Sequence, residues 1–176
     1  FDGNKHISIL ESAFLRQNGF VVASFGKVLH ATGWKMGYVV ANPFLTAEFR
    51  KIHQFNVFSV NTPIQFAVAD YLSDVNYYQS LTPLFQQKRD FVVDKLSSSP
   101  FKVLTCEGTY FLLVDYSAIA QEKEFDFAEK LTKEFKIATI PVSAFYSNEV
   151  SQNLLRICFE KKEETLNPAL QNLLSL

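Results

Sequence analysis

The chain has a single methionine, Met36, two cysteines, and no apolar run approaching the roughly 18 residues that cross a bilayer. With Met36 far inside and Phe1-Asp2-Gly3 at the start, the sequence is expected to be a piece of a longer translation product. Cys106 and Cys158 lie far apart in apolar surroundings. Neither belongs to a Cys-x-x-Cys pair or has a histidine at ligand spacing, so no metal site is expected. The expected state is two reduced, buried thiols, which points to a cytoplasmic protein. An excess of one charge is also lacking. The 17 Lys and Arg are mixed along the chain with 18 Asp and Glu, which leaves no field to steer nucleic acid or an anionic membrane. A small molecule or another protein is the expected partner.

Apolar residues are plentiful: 48% of the chain is hydrophobic and 18 residues are Phe, enough to offset the entropy of ordering it. Most of the Phe residues, and Trp34, are expected in packing roles. The length of 176 residues suits one large or two small domains. There are no internal repeats or low-complexity stretches.

Patterning divides the chain. Ile7, Leu10, Phe14 and Leu15 mark a short amphipathic piece, and Phe20 to Ala23 reads as a buried strand. A second apolar run from Met36 to Ala41 stops at Asn42-Pro43, where an Asn cap followed by Pro starts a helix running to about Val57. Thr62, Pro63 and Gln65 fit a capping box for the next helix. A longer helix is predicted from Tyr77 to Ser97. Beyond Pro100, strands are predicted near 101–104, 110–114, 137–140 and 154–159, with a helix near 125–135. Leu166, Leu170, Leu173 and Leu174 form the inner face of a last helix.

Lys27 is the most informative residue. It follows the strand-like run Val21-Val22-Ala23-Ser24 and precedes Thr32-Gly33-Trp34-Lys35-Met36-Gly37-Tyr38. Ser24 adds a hydroxyl, Gly26 allows close approach to the backbone, and Lys35 adds a second cation. A buried amine beside a phosphate-sized cationic pocket points to pyridoxal phosphate. An amine in water, with a pKa near ~10.4, is a poor nucleophile until burial and neighbouring charge tune it for Schiff-base chemistry.

Arg156, in Leu154-Leu155-Arg156-Ile157-Cys158-Phe159, is a cation in an apolar strand. It is either an edge-strand residue, a partner of a carboxylate such as Glu160, or a planar fork for a substrate carboxylate. The residues alone leave these readings open. His6, His30 and His53 have no partner at ligand spacing. Ser24 and Lys27 also fit the Ser-x-x-Lys pattern of serine acyl enzymes, but the Ser-Asp-Asn and Lys-Thr-Gly elements of that class do not follow.

Taken in order, Ser24-Phe25-Gly26-Lys27, Thr32-Gly33-Trp34-Lys35-x-Gly37-Tyr38 and Arg156 in a late strand resemble the class I/II, fold-type I aminotransferases. Val57-Phe58-Ser59-Val60-Asn61-Thr62-Pro63, Glu107-Gly108-Thr109-Tyr110-Phe111 and Ile140-Pro141-Val142-Ser143-Ala144-Phe145-Tyr146 are similar to the methionine aminotransferase and kynurenine/glutamine transaminase branch. The resemblance covers essentially the whole chain. It implies that Lys27 carries pyridoxal phosphate and moves the substrate proton, and that Ser24 and Lys35 hold the cofactor phosphate. Arg156 would bind the α-carboxylate of amino acid and 2-oxo acid substrates, and Phe58 would line a pocket across a homodimer interface. Ser59 stands where some kynurenine-type relatives carry histidine, which leans the substrate toward methionine or another apolar or aromatic amino acid.

The resemblance also implies an α/β fold in which residues 1–76 end the large cofactor-binding domain, 77–98 form a connecting helix and 99–176 form an α+β small domain. The groups that pair with the pyridine nitrogen and the ring oxygen would lie in a missing N-terminal part. The fragment alone is therefore expected to be inactive. The alternative from another class is a non-catalytic truncated domain serving oligomerisation or ligand binding.

Overall fold

Asn42 and Pro43 do what their order predicts: the Asn42 side chain accepts the Leu45 N–H at 2.8 Å and Pro43 opens a helix, Pro43–Asn56. The computed structural model describes residues 1–148 and 150–176, which divide into two units: a first, Lys5–Leu81, and a second, Thr82–Leu176 together with Phe1–Asn4. Residues 77–98 are divided by this partition at Leu81/Thr82. Among the described residues no helix is long and apolar enough to cross a membrane.

The first unit contains α1 (Ala13–Asn18), β1 (Val21–Ser24), α2 (Phe25–Val28), β2 (Gly37–Val40), α3 (Pro43–Asn56), α4 (Thr62–Ser73) and α5 (Val75–Gln79). β1 and β2 form a two-stranded antiparallel ribbon that pairs Val21 with Val40 and Ser24 with Gly37. β1 is not the buried strand its apolar run predicts. Val22 is 75% exposed and Phe20 also faces solvent, because a two-stranded ribbon has no second layer here to cover both faces. Phe14, Phe44, Phe55, Phe58 and Phe66 are likewise exposed, as is Trp34, so much of the phenylalanine excess does not enter a core within this chain. The cap of α4 is Asn61 rather than Thr62: the Asn61 carboxamide accepts the Ile64 N–H at 3.2 Å, and Thr62 is already helical.

The helix predicted over Tyr77 to Ser97 is two helices. Asp74 caps α5 by accepting the Asn76 N–H at 2.9 Å, α5 closes at Ser80, and α6 (Leu81–Leu96) starts afresh. After α6 the second unit continues with β3 (Lys102–Val103), β4 (Phe111–Asp115), α7 (Glu124–Phe135), β5 (Ile140–Pro141), β6 (Leu154–Cys158) and α8 (Glu163–Leu174). The strand predicted over 137–140 shrinks to Ile140–Pro141, because Lys136 ends α7 in the left-handed region and Ile137 is still bonded back to Leu131.

The four strands form an antiparallel sheet in the order β3-β4-β6-β5. Side chains alternate across it. Leu112, Val114, Leu155 and Ile157 point into a core completed by Val92 and Leu96 of α6, Leu131 of α7 and Leu170 of α8. Leu174, expected on the inner face of α8, is instead 38% exposed. Phe127 stacks on Tyr116 with ring centres 4.4 Å apart, and the Tyr116 hydroxyl donates to the Glu122 carbonyl at 2.8 Å. At the start of the chain, Asp2 receives two hydrogen bonds from the Arg89 guanidinium, at 2.8 and 2.5 Å, and Arg89 also donates to the Cys106 carbonyl at 2.6 Å. Arg89 holds the Asp2 carboxyl below the usual aspartate range.

Candidate active site

The residues singled out by sequence fall on two structures, one in each unit. In the first unit the ribbon ladder ends where Phe25 N–H donates to the Met36 carbonyl at 3.1 Å, and Ser24 and Lys35 flank that closure. Lys27 lies between them on α2. The connection is built from local bonds. Ser24 Oγ accepts the Gly26 N–H at 3.0 Å, and the Thr32 hydroxyl donates to the Gly26 carbonyl at 3.0 Å. Lys35 adopts the left-handed conformation with φ 53°, which reverses the chain into β2.

Two glycines make this turn possible. A Cβ on Gly26 would stand 3.2 Å from Ser24 Oγ and 3.3 Å from the Thr32 Cα, and a Cβ on Gly37 would fall on the Ala23 carbonyl oxygen. The hairpin therefore groups Ser24, Lys27 and Lys35 on one connection. The expectation of a buried amine is corrected: Lys27 and Lys35 are both exposed within this chain. Beside the connection, Ala23, Ser24, Phe25, Tyr38, Leu72 and Tyr78 help line a cavity of about 450 Å³ that neither lysine borders.

Phe58 follows α3 in the left-handed region with φ 66° and is 83% exposed. Its N–H donates to the His53 carbonyl at 3.0 Å, so a backbone bond holds the turn while the ring stands free of it.

In the second unit Arg156 is not an edge residue, since β6 lies between β4 and β5, with Arg156 opposite Leu113 and Ile140. Alternation puts it on the sheet face opposite the core helices. There its guanidinium carbon lies 4.2 Å from the Phe111 ring centre, 5.7 Å from Tyr110 and 5.9 Å from Phe145. Among the described residues its buried Nε has no hydrogen-bond partner. Ring contacts of this kind contribute about 0.5–2 kcal/mol, and an unmade buried hydrogen bond costs about 1–3 kcal/mol. The two roughly cancel, so the arrangement does little for stability and leaves a planar donor ready for an anion.

Tyr110, Phe111 and Phe145 were given no individual role by sequence reading. Strand pairing brings them to Arg156, and the alternation in Phe111-Leu112-Leu113 was the signal that could have found Phe111. Glu124 was also missed. It is 1% exposed, and its carboxylate accepts N–H bonds from Ser143 at 2.5 Å, Gln152 at 2.7 Å and Leu154 at 3.0 Å. Burial pushes its carboxyl up, yet the three N–H bonds outweigh burial and hold it below the usual glutamate value of 4.5. Cys106 and Cys158 are free thiols, only partly buried rather than fully so, and Cys106 donates to the Gly108 carbonyl at 3.1 Å.

Similarity to known proteins defines the class of this α/β chain. The chain matches the family described as aminotransferase class I and II over residues 5–173, and it belongs to that family. It is 46% identical over 177 residues to the methionine aminotransferase of Escherichia coli, covering 100% of this chain and 46% of that protein. It is 31% identical over 198 residues to the kynurenine–oxoglutarate transaminase of Dictyostelium discoideum, again covering 100% of the chain and 46% of the relative. A solved structure from Escherichia coli, described as having a methionine aminotransferase function, superposes with a TM-score of 0.93 at 46% identity, covering 97% of this chain and 46% of that one. The N-succinyldiaminopimelate aminotransferase of Mycobacterium tuberculosis superposes with a TM-score of 0.92 at 28% identity, covering 99% and 46%. The chain thus spans about half the length of these relatives.

Proposed function

We propose that the protein to which this chain belongs is a pyridoxal-phosphate-dependent aminotransferase that moves an amino group between an amino acid, methionine or an aromatic or glutamine-like one, and a 2-oxo acid. The observation that carries this reading is Arg156, a cation between aromatic rings whose buried Nε has no partner among the described residues. A substrate carboxylate accepting a side-on pair of N–H bonds would satisfy it. The rings beside it would exclude water and strengthen the attraction.

The donor set on the hairpin fits the cofactor. Lys27 and Lys35 offer primary amines, Ser24 keeps a hydroxyl proton to donate while accepting from Gly26, and the absent Cβ of Gly26 leaves the backbone approachable. When bound, pyridoxal phosphate supplies an electron sink for the bond broken at the substrate Cα. In this reading Lys27 holds the cofactor and then carries the proton at Cα, while Lys35 and Ser24 bind its phosphate. Lys35 acts there as a point charge without the fork of an arginine. Phe58 borders the side-chain pocket of a second subunit in a homodimer. In this reading residues 1–76 end the large domain, 77–98 connect, and 99–176 form the small domain. The chain spans about half the length of the relatives it matches, and in this reading the isolated chain does not turn over.

The test uses the protein expressed from its complete reading frame. Lys27→Ala is expected to abolish oxo-acid formation from methionine and phenylalanine and to remove the imine absorbance, whereas Lys35→Ala weakens cofactor affinity by about tenfold or more. Full activity of Lys27→Ala would overturn the proposal.

A further inference from the structure

We infer that Glu124 is a positioning residue for substrate carboxylate recognition, tying down both ends of the connection that carries Phe145 to Arg156. The inference rests on the reading of Arg156 as the carboxylate-binding group.

Glu124 opens α7, where an acidic residue is favoured by the helix dipole and would ordinarily face water. Here the carboxylate is turned inward and is 1% exposed. Its Oε2 accepts the N–H of Ser143, just after β5. Its Oε1 accepts the N–H groups of Gln152 and Leu154, at the start of β6. One side chain therefore joins the two ends of the β5–β6 connection.

Both anchor points are two residues from a group that touches the arginine site. Ser143 precedes Phe145, whose ring centre is 5.9 Å from the Arg156 guanidinium. Leu154 precedes Arg156 on the same strand and, by alternation, on the same face. Phe145 itself is 64% exposed, so little packing holds it in place. Phe145 ends a 3-10 turn, Val142–Phe145, and the bond from Ser143 to Glu124 anchors that turn.

An acceptor that only filled the core could be replaced by any well-packed side chain. Three N–H donors converging on two oxygens need an acceptor at both, which a carboxylate provides and a carboxamide does not. Glu124→Gln would set an NH₂ group against an N–H donor at one of the two ends. Small displacements of such supports are known to propagate to the group they hold.

The experiment uses the complete protein loaded with pyridoxal phosphate and two probes: phenylpropionate, a carboxylate without an amine, and phenethylamine, an amine without a carboxylate. Glu124→Gln is expected to weaken phenylpropionate by about tenfold while phenethylamine stays within about twofold. Arg156→Lys should show the same selective loss, and the double variant should lose no more than Arg156→Lys alone. Equal weakening of both probes, or of neither, by Glu124→Gln overturns the inference. If Arg156→Lys weakens phenylpropionate and Glu124→Gln does not, only the role of Glu124 falls. If Arg156→Lys leaves phenylpropionate binding unchanged, the arginine assignment falls and the inference with it. Should Glu124→Gln fail to fold, Glu124→Asp, which keeps the charge but retreats by one methylene, is expected to give a smaller loss confined to phenylpropionate, and a loss common to both probes or absent from both overturns the inference.

Discussion

The guanidinium of Arg156 lies 4.2 Å from the centre of the Phe111 ring, on an adjacent strand of the same sheet. The ring stabilises the cation from one side while leaving its planar edge for an anion. Replacing Phe111 by Leu should therefore act through Arg156. In urea unfolding, a double-mutant cycle of Phe111→Leu with Arg156→Met is expected to give a coupling of about 0.5–1 kcal/mol. A coupling of zero would mean that the ring and the cation are neighbours without being partners.

Gly37→Ala is expected to spread the hairpin that groups Ser24, Lys27 and Lys35, because the new methyl group would collide with the Ala23 carbonyl. Overpacking of this kind costs about 1–3 kcal/mol. The complete protein should melt earlier and bind cofactor more weakly by absorbance titration. Gly33→Ala, where nothing stands within 4 Å of the added Cβ, serves as the control and should change neither measurement.

Burial pushes the Tyr116 hydroxyl up to about 12, from an ordinary value of 10.0. The folded state thus favours the protonated phenol. This contribution to stability is complete below pH 10 and is lost as the pH rises through about 12. Tyr116→Phe should remove that alkaline dependence. At neutral pH it should cost about 1 kcal/mol for the hydrogen bond to the Glu122 carbonyl. Urea midpoints measured at several alkaline pH values would show both effects; an unchanged alkaline limb in the variant would refute the assignment.

Phe44, Phe55 and Phe66 of the first unit are each more than two-thirds exposed. The isolated chain should accordingly bind a hydrophobic dye and scatter light increasingly with concentration. Phe55→Ser and Phe66→Ser together should reduce both signals without lowering the melting temperature, since neither ring contributes to a core here. A variant that scatters as strongly as the original would point to a different surface.

Local chemistry made the helices legible. Asn42-Pro43 marked the start of α3 because both signals act within one turn. The break at Ser80 escaped because the Asp74 cap initiates a separate short helix that the apolar spacing across 77–97 conceals. Arg156 stood out as a cation in an apolar strand, but its flank of rings depends on the pairing of β4 with β6. Glu124 was invisible for the same reason: its three donors lie 19, 28 and 30 positions further along, and nothing in the local pattern distinguishes it from an ordinary acid at a helix start.

The paired hydrogen bonds of Arg89 to Asp2 connect residues 87 positions apart, with the whole of Lys5–Leu81 between them. On a ribosome, Asp2 is made roughly 4–17 s before Arg89 at ordinary elongation rates. During that interval the first unit can fold, but the second cannot finish. Phe1–Asn4 must be recaptured by a helix made much later, so the second unit is completed after the first.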